Sequence, residues 1–237
     1  MVSYRLHNPN GLDTRTIERI VQACEIPSGS LFLYLGDSSI EPHYQGLTIV
    51  KAHIRSLGNI YGLEDYTTES WDCGIIISRT WCIAQSQYPA YFAFLVGHEL
   101  GHAATAIADQ ELAAYEHLIT VSQQHLAVPT AYVDLPHEIL YDRVGVAVAE
   151  RLYGRAVVLT QFAAVIDNGE LPRHVARVQR AIGLVPTLSV SGLRASVAAF
   201  ALPNRAELLR LWSEKKSTSA PGHTRYVQDL TSLWRLS

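Results

Sequence analysis

Apolar residues recur along this 237-residue chain with two periods, and the change from one to the other divides it. From Asp13 to Cys24 they fall at helical spacing, with Ile17, Ile20 and Val21 on one stripe and Glu18 and Arg19 outside it. Pro27 to Ser30 ends that helix. Ser30 to Leu35 is a short strand-like run bounded by Gly29 and Gly36, and Gly46 to His53 fits a strand or a helix equally. Cys73-Gly74-Ile75-Ile76-Ile77-Ser78 is the clearest strand, β-branched at its centre and closed by polar residues. Beyond Ala108 the strand signal fades. Glu111 to Leu126, His137 to Tyr153, Ala156 to Ile166, Pro172 to Ile182, Leu193 to Phe200 and Arg205 to Ser213 all carry helical periodicity, and Glu214 to Gly222 is a small-polar loop. The pattern predicts an α+β, mostly helical protein with a small N-terminal sheet and a helical C-terminal lobe. Length suits one domain over 1–237, with an α/β lobe to about residue 108 and a helical lobe from about 109.

Between the two halves lies the segment with the strongest chemical signal. Ser86 is a candidate cap, Pro89 suits a first helical turn, and the apolar run from Tyr91 to Val96 leads into His98-Glu99-Leu100-Gly101-His102. Ala93, Gly97, Leu100, Ala104 and Ile107 recur on the side away from His98, so both sides of this helix are expected to be covered. Histidines at i and i+4 project from one helical face and can share one ion, with Glu99 beside them as a general base. That spacing is the signature of a hydrolytic zinc site.

Composition narrows the alternatives. With 48% hydrophobic residues the chain is globular, and 19 basic against 22 acidic residues leave no electrostatic footprint for nucleic acid or an anionic membrane. Cys24, Cys73 and Cys82 are odd in number and lack CxxC spacing, which argues against a disulfide framework or a cysteine zinc site and for a reducing compartment. Residues Met1 to Asn10 lack a secretory pattern, and no run stays apolar over the roughly 20 residues of a membrane span. The expectation is a cytoplasmic protein with no integral membrane segment.

A catalytic zinc takes three protein ligands and keeps one position open, so a third is needed. The extended pattern HExxHxxGxxH fails, because Thr105 and Ala108 stand where its glycine and third histidine belong. Glu138 is the best candidate. Asp142 lies one turn further on the same face, placed to accept from the outer nitrogen of a ligating histidine, and Asp134 is a candidate cap for that helix. Glu150, Glu111, Glu116, His117, His125 and His137 remain open as alternatives.

HELGH followed by Glu138-x-x-x-Asp142 resembles the gluzincin pattern, and EILYDRVGVAVAERLYG resembles the ExxADxxG helix of the HtpX and CAAX-prenyl-protease family. GIIISRTWCIAQSQYPAYFAFLVGHELGH repeats that family's layout of strand followed by motif helix, and the same segment is similar to ImmA/IrrE-like proteases. The likeness covers roughly residues 70 to 155. Two departures stand out: Tyr141 replaces an alanine, and Thr224 follows His223 where the family has proline.

The resemblance implies a zincin-like fold and a zinc metallopeptidase without the family's membrane helices. One zinc ion would be held by His98, His102 and Glu138, with Asp142 behind them and Glu99 as base. His223 with Arg225 is the expected oxyanion donor and His174 the reserve. A peptide or protein substrate is expected to add as a strand beside Gly74, Ile75, Ile76 and Ile77. The alternative is a catalytically silent, peptidase-like binding or regulatory protein with a structural metal. Glu99 favours the enzyme, since a structural site has no use for a base.

Overall fold

A computed structural model describes residues 2–8, 11–37, 46–50, 71–78, 81–82, 87–113, 116, 132–168 and 172–188. In chain order these form β1 (Ser3–His7), α1 (Thr14–Ala23), β2 (Ser30–Asp37), β3 (Gly46–Val50), β4 (Cys73–Ser78), α2 (Pro89–Ala108), α3 (Pro136–Tyr153), α4 (Arg155–Asp167) and α5 (Pro172–Ile182). The α+β, mostly helical class is therefore as the periodicity predicts. The expected helices at Leu193–Phe200 and Arg205–Ser213, and most of Glu111–Leu126, lie outside the described residues.

The sheet has the order β1-β2-β4-β3, with β1, β2 and β4 parallel and β3 antiparallel to β4. β1 and β2 are joined through α1, whose first turn is capped by the Asp13 carboxylate accepting from the Arg15 amide at 3.1 Å. Strand β1 was not expected from the sequence. Its alternation of Val2, Tyr4 and Leu6 is only three apolar positions long, and its side chains are half-exposed at the sheet edge. The Gly46 to His53 run resolves as a strand over Gly46–Val50.

One expectation is overturned by this order. β4 is an interior strand, hydrogen-bonded to β2 on one side and β3 on the other, and every residue from Cys73 to Ser78 is buried. Gly74, Ile75, Ile76 and Ile77 therefore cannot receive a substrate strand; their backbone groups are already paired, and the isoleucines belong to the core. Continuous β-branched apolarity marks a strand covered on both faces, whereas an edge open to a peptide needs only one buried face.

The core runs from the sheet through α2 to α3 and α4. Along α2 every residue from Ala90 to Gly101 is buried, so this is the covered central helix the sequence predicts. Ser86, the candidate cap, lies outside the described residues. Tyr88 holds the cap position without a side-chain bond, and the carbonyl oxygen of the Gln161 side chain on α4 accepts from the Ala90 and Tyr91 amides at 2.7 and 3.3 Å. The orphan donors of the first turn are thus satisfied from a neighbouring helix. An aromatic cluster of Trp81, Tyr91, Phe94 and Phe162 fixes the same end, with centroid separations of 5.1 to 5.7 Å.

Helices α2 and α3 come into close contact at Gly145. A methyl group there would collide with the Phe94 carbonyl oxygen and come within 3.2 Å of the His98 amide nitrogen. Gly97, grouped by periodicity with the side away from His98, instead faces α3, its Cβ position 3.1 Å from Gly145 Cα. Since Glu138, Asp142 and Gly145 are spaced i, i+4, i+7, this contact brings both acids onto the histidine face of α2. Gly145→Ala is expected to destabilise the protein by about 1–3 kcal/mol through overpacking. Urea unfolding measures it, and an unchanged midpoint would mean that the helices do not meet here.

Candidate metal centre

His98 and His102 project from α2 toward Glu138 in the first turn of α3, where the helix dipole favours an anion. His98 Nε2 and His102 Nε2 are 3.1 Å apart, His98 Nε2 lies 3.3 Å from Glu138 Oε2, and His102 Nε2 lies 3.6 Å from Glu138 Oε1. Two ligands about 2.0–2.1 Å from a tetrahedral zinc would stand roughly 3.3 Å apart, so the three side chains are spaced as such a site requires. Among the described residues they form a group able to hold a metal ion, and His98 and Glu138 are only 1% exposed. Converging imidazole lone pairs and a carboxylate repel one another in a buried space unless a proton or cation lies among them.

Asp142 occupies the place the sequence predicts for it. Its Oδ1 is 2.8 Å from His98 Nδ1, although not along the ideal hydrogen-bond direction. The contact favours a proton on Nδ1 and so turns the Nε2 lone pair toward Glu138. Asp134 does not cap α3. Leu135 takes that position, and Asp134 lies in the preceding turn of 3-10 helix, 3.6 Å from Arg180.

Three further groups complete the site. From α5, Arg177 donates to Glu138 Oε2 at 2.7 Å, lies 3.0 Å from His98 Nε2, and approaches Asp142 Oδ1 through Nε at 3.1 Å. Arg180 pairs with Asp142 Oδ2. Behind His102, Glu116 lies 3.7 Å from Nδ1 and accepts from the Tyr141 hydroxyl at 2.5 Å, which also contacts Thr105 Oγ1 at 2.6 Å. Tyr141, a departure from the resembled pattern, thus forms part of a buried polar network.

Arg177 and Arg180 were not singled out from the sequence, Tyr141 was noted only as a departure from the resembled pattern, and Glu116 only as a possible ligand. A signal for the arginines existed in the spacing of Arg173, Arg177 and Arg180 along one strongly amphipathic helix. Such a stripe usually reads as a solvated face, and only the fold turns Arg177 and Arg180 inward. His223 and Arg225 lie outside the described residues; α5 includes His174, whose side chain is likewise outside them.

Burial and polar partners pull the carboxylates apart in acidity. Burial would favour neutral Glu138, but His98, His102 and Arg177 outweigh it and hold its pKa well below the ordinary value. Asp142 is likewise lowered, burial being overcome by Arg177, His98 and Arg180. Glu99 and Glu116 go the other way, raised chiefly by burial. Burial also lowers His137, in the first turn of α3, to about 4 and raises the three free thiols to about 12, which makes the cysteines poor ligands and nucleophiles.

Glu99 is held from the sheet side. The Thr48 hydroxyl on β3 donates to Glu99 Oε2 at 2.7 Å and lies 3.1 Å from its backbone carbonyl oxygen. Gly46 passes so closely that a Cβ there would stand 2.8 Å from Glu99 Oε1. A side chain at Gly46 would cover the oxygen that Thr48 leaves available.

No family model, no curated protein and no solved structure matches this chain. The site's own geometry therefore carries the functional argument. No helix among the described residues is long and apolar enough to cross a membrane.

Two expectations follow from this arrangement. Asp142→Asn should weaken zinc binding about 10–100-fold, as loss of an outer partner does at other metal–histidine sites; an unchanged dissociation constant in a chelator competition would show that Asp142 does not orient His98. His137 binds protons more readily unfolded than folded, because its folded pKa of about 4 is depressed below the ordinary 6.5. Its contribution is complete above about pH 6.5 and is lost as pH falls toward 4, up to about 3 kcal/mol. His137→Gln should therefore flatten the loss of stability over that window in denaturant titrations, whereas a slope equal to the wild type would contradict the assignment.

Proposed function

We propose that this chain is a zinc-dependent metallopeptidase in which His98, His102 and Glu138 hold the ion and Glu99 serves as general base. The observation that carries the reading is the three-ligand spacing of 3.1, 3.3 and 3.6 Å with an acid built into the same helix turn. Three ligands leave a coordination position for reactants, which a closed structural site lacks. Zinc held there supplies Lewis acidity, acidifying a water molecule from 15.7 toward about 7 and polarising a carbonyl.

The protein's own groups do the rest. Burial raises the Glu99 pKa, and a base poised nearer the working pH both accepts and returns a proton efficiently. Thr48 fixes one carboxylate oxygen and leaves Oε1 for the proton taken from the attacking water and delivered to the departing amine. Asp142 orients His98, and Glu116 with Tyr141 lies behind His102.

The substrate strand moves from β4 to β3. β3 runs beside Glu99, and among the described residues its outer edge pairs with no strand. An extended peptide adding there would lie against the base, with its backbone groups satisfied by the sheet.

Glu99→Gln should keep its zinc and lose about 10²–10⁴-fold in turnover of a fluorogenic peptide mixture. Turnover equal to the wild type would remove Glu99 from the chemistry, and absence of turnover in the zinc-loaded wild type would favour the silent, peptide-binding alternative.

A further inference from the structure

Two buried acids beside the ligand set are each paired with an arginine from α5. Glu138 and Asp142 supply two negative charges from α3, and Arg177 and Arg180 supply two positive charges from α5. Burial of Arg177, only 6% exposed, is tolerable because each of its contacts is charge-assisted or meets a lone pair. The two arginines differ in what they touch: Arg180 reaches Asp142 and Asp134, neither of them in the ligand group. Arg177 places one nitrogen 2.7 Å from Glu138 Oε2 and 3.0 Å from His98 Nε2, two of the three ligands themselves.

A hydrogen-bond donor and a metal ion use the same lone pairs. With the Nδ1 side of His98 turned to Asp142, its Nε2 faces the cavity, where it lies 3.0 Å from the Arg177 nitrogen and 3.1 Å from His102 Nε2. The Arg177 nitrogen thus stands within contact of two of the three converging side chains, where a positive charge relieves their repulsion. Zinc entering the same space meets both a blocked ligand and a positive charge at contact distance.

We propose that Arg177 is an internal competitor for the metal: it holds the ligand set together in the metal-free protein and must withdraw from His98 and Glu138 for zinc to bind. It thereby sets the affinity of the site and couples metal binding to the position of α5. This rests on the reading of His98, His102 and Glu138 as metal ligands. Arg180 stays on Asp142 throughout, so α3 keeps one counter-charge while the other is exchanged for the ion. The guanidinium cannot be neutralised by deprotonation at any pH the fold withstands, so displacement is the only route.

The test compares zinc dissociation constants of the full chain, by competition with a fluorescent chelator, for wild type, Arg177→Met and Arg180→Met. Arg177→Met should bind zinc at least about tenfold more tightly, while its metal-free form unfolds at lower temperature because Glu138 and Asp142 lose a counter-charge. Arg180→Met should show a smaller gain or none. Equal or weaker binding by Arg177→Met would overturn the competition. An equal gain in both variants would reduce it to general electrostatics and overturn it as well. Wild type alone gives a second reading that needs no variant: zinc should speed amide exchange across Pro172–Ile182 while slowing it around His98 and His102. Slower exchange in both segments would contradict withdrawal of Arg177. If neither the wild type nor either variant binds zinc, the metal site itself fails and the inference falls with it.

Discussion

Two imidazoles and two carboxylates buried between a pair of helices can share a space only if a cation shares it with them, and the described structure is arranged around that constraint. A lone carboxylate moved into a protein interior would protonate or force the interior open. Glu138 and Asp142 instead stay well below their ordinary pKa values because histidines and arginines surround them. A buried ion cluster of this kind contributes little net stability, since Coulombic gain and desolvation nearly cancel.

The rest of the architecture brings the charges together. Gly145 lets α2 and α3 approach until the Glu138–Asp142 face meets the His98–His102 face. The aromatic cluster under Tyr91 and the Gln161 cap fix the entry of α2, so its histidines emerge at a set depth. From the sheet side, β3 lays Thr48 and Gly46 on Glu99. Three surfaces thus converge on one helix turn: α3 supplies the Glu138 carboxylate, α5 its arginine counter-charges, and β3 the hydroxyl that holds Glu99.

Much of this was legible in the chain because the relevant signals are local. The i, i+4 spacings of His98 with His102 and of Glu138 with Asp142 depend only on each segment being helical, and the apolar run ahead of the motif and the periodicity from His137 to Tyr153 made both helices readable. What was not legible depends on which element lies beside which. Ile75 to Ile77 read equally well as an interior strand or as an edge beside a substrate until the strand order decided it. The cap expected from Asp134 falls instead to Leu135, and the first turn of α2 draws on Gln161 from another helix, since periodicity locates a helix more firmly than its end. Arg177 illustrates the same limit, for an arginine stripe marks an exposed face unless a distant acidic helix is packed against it. Tyr141 looked like a mere departure from a pattern and proved to anchor Glu116 behind His102.

The central claim is that His98, His102 and Glu138 form one metal site, and anomalous diffraction at the zinc absorption edge from crystals grown with zinc tests it most directly. The account predicts a single strong peak about 2.0–2.2 Å from His98 Nε2, His102 Nε2 and a Glu138 carboxylate oxygen. A structure with zinc elsewhere, or with these three side chains pointing apart around an empty space, would contradict it.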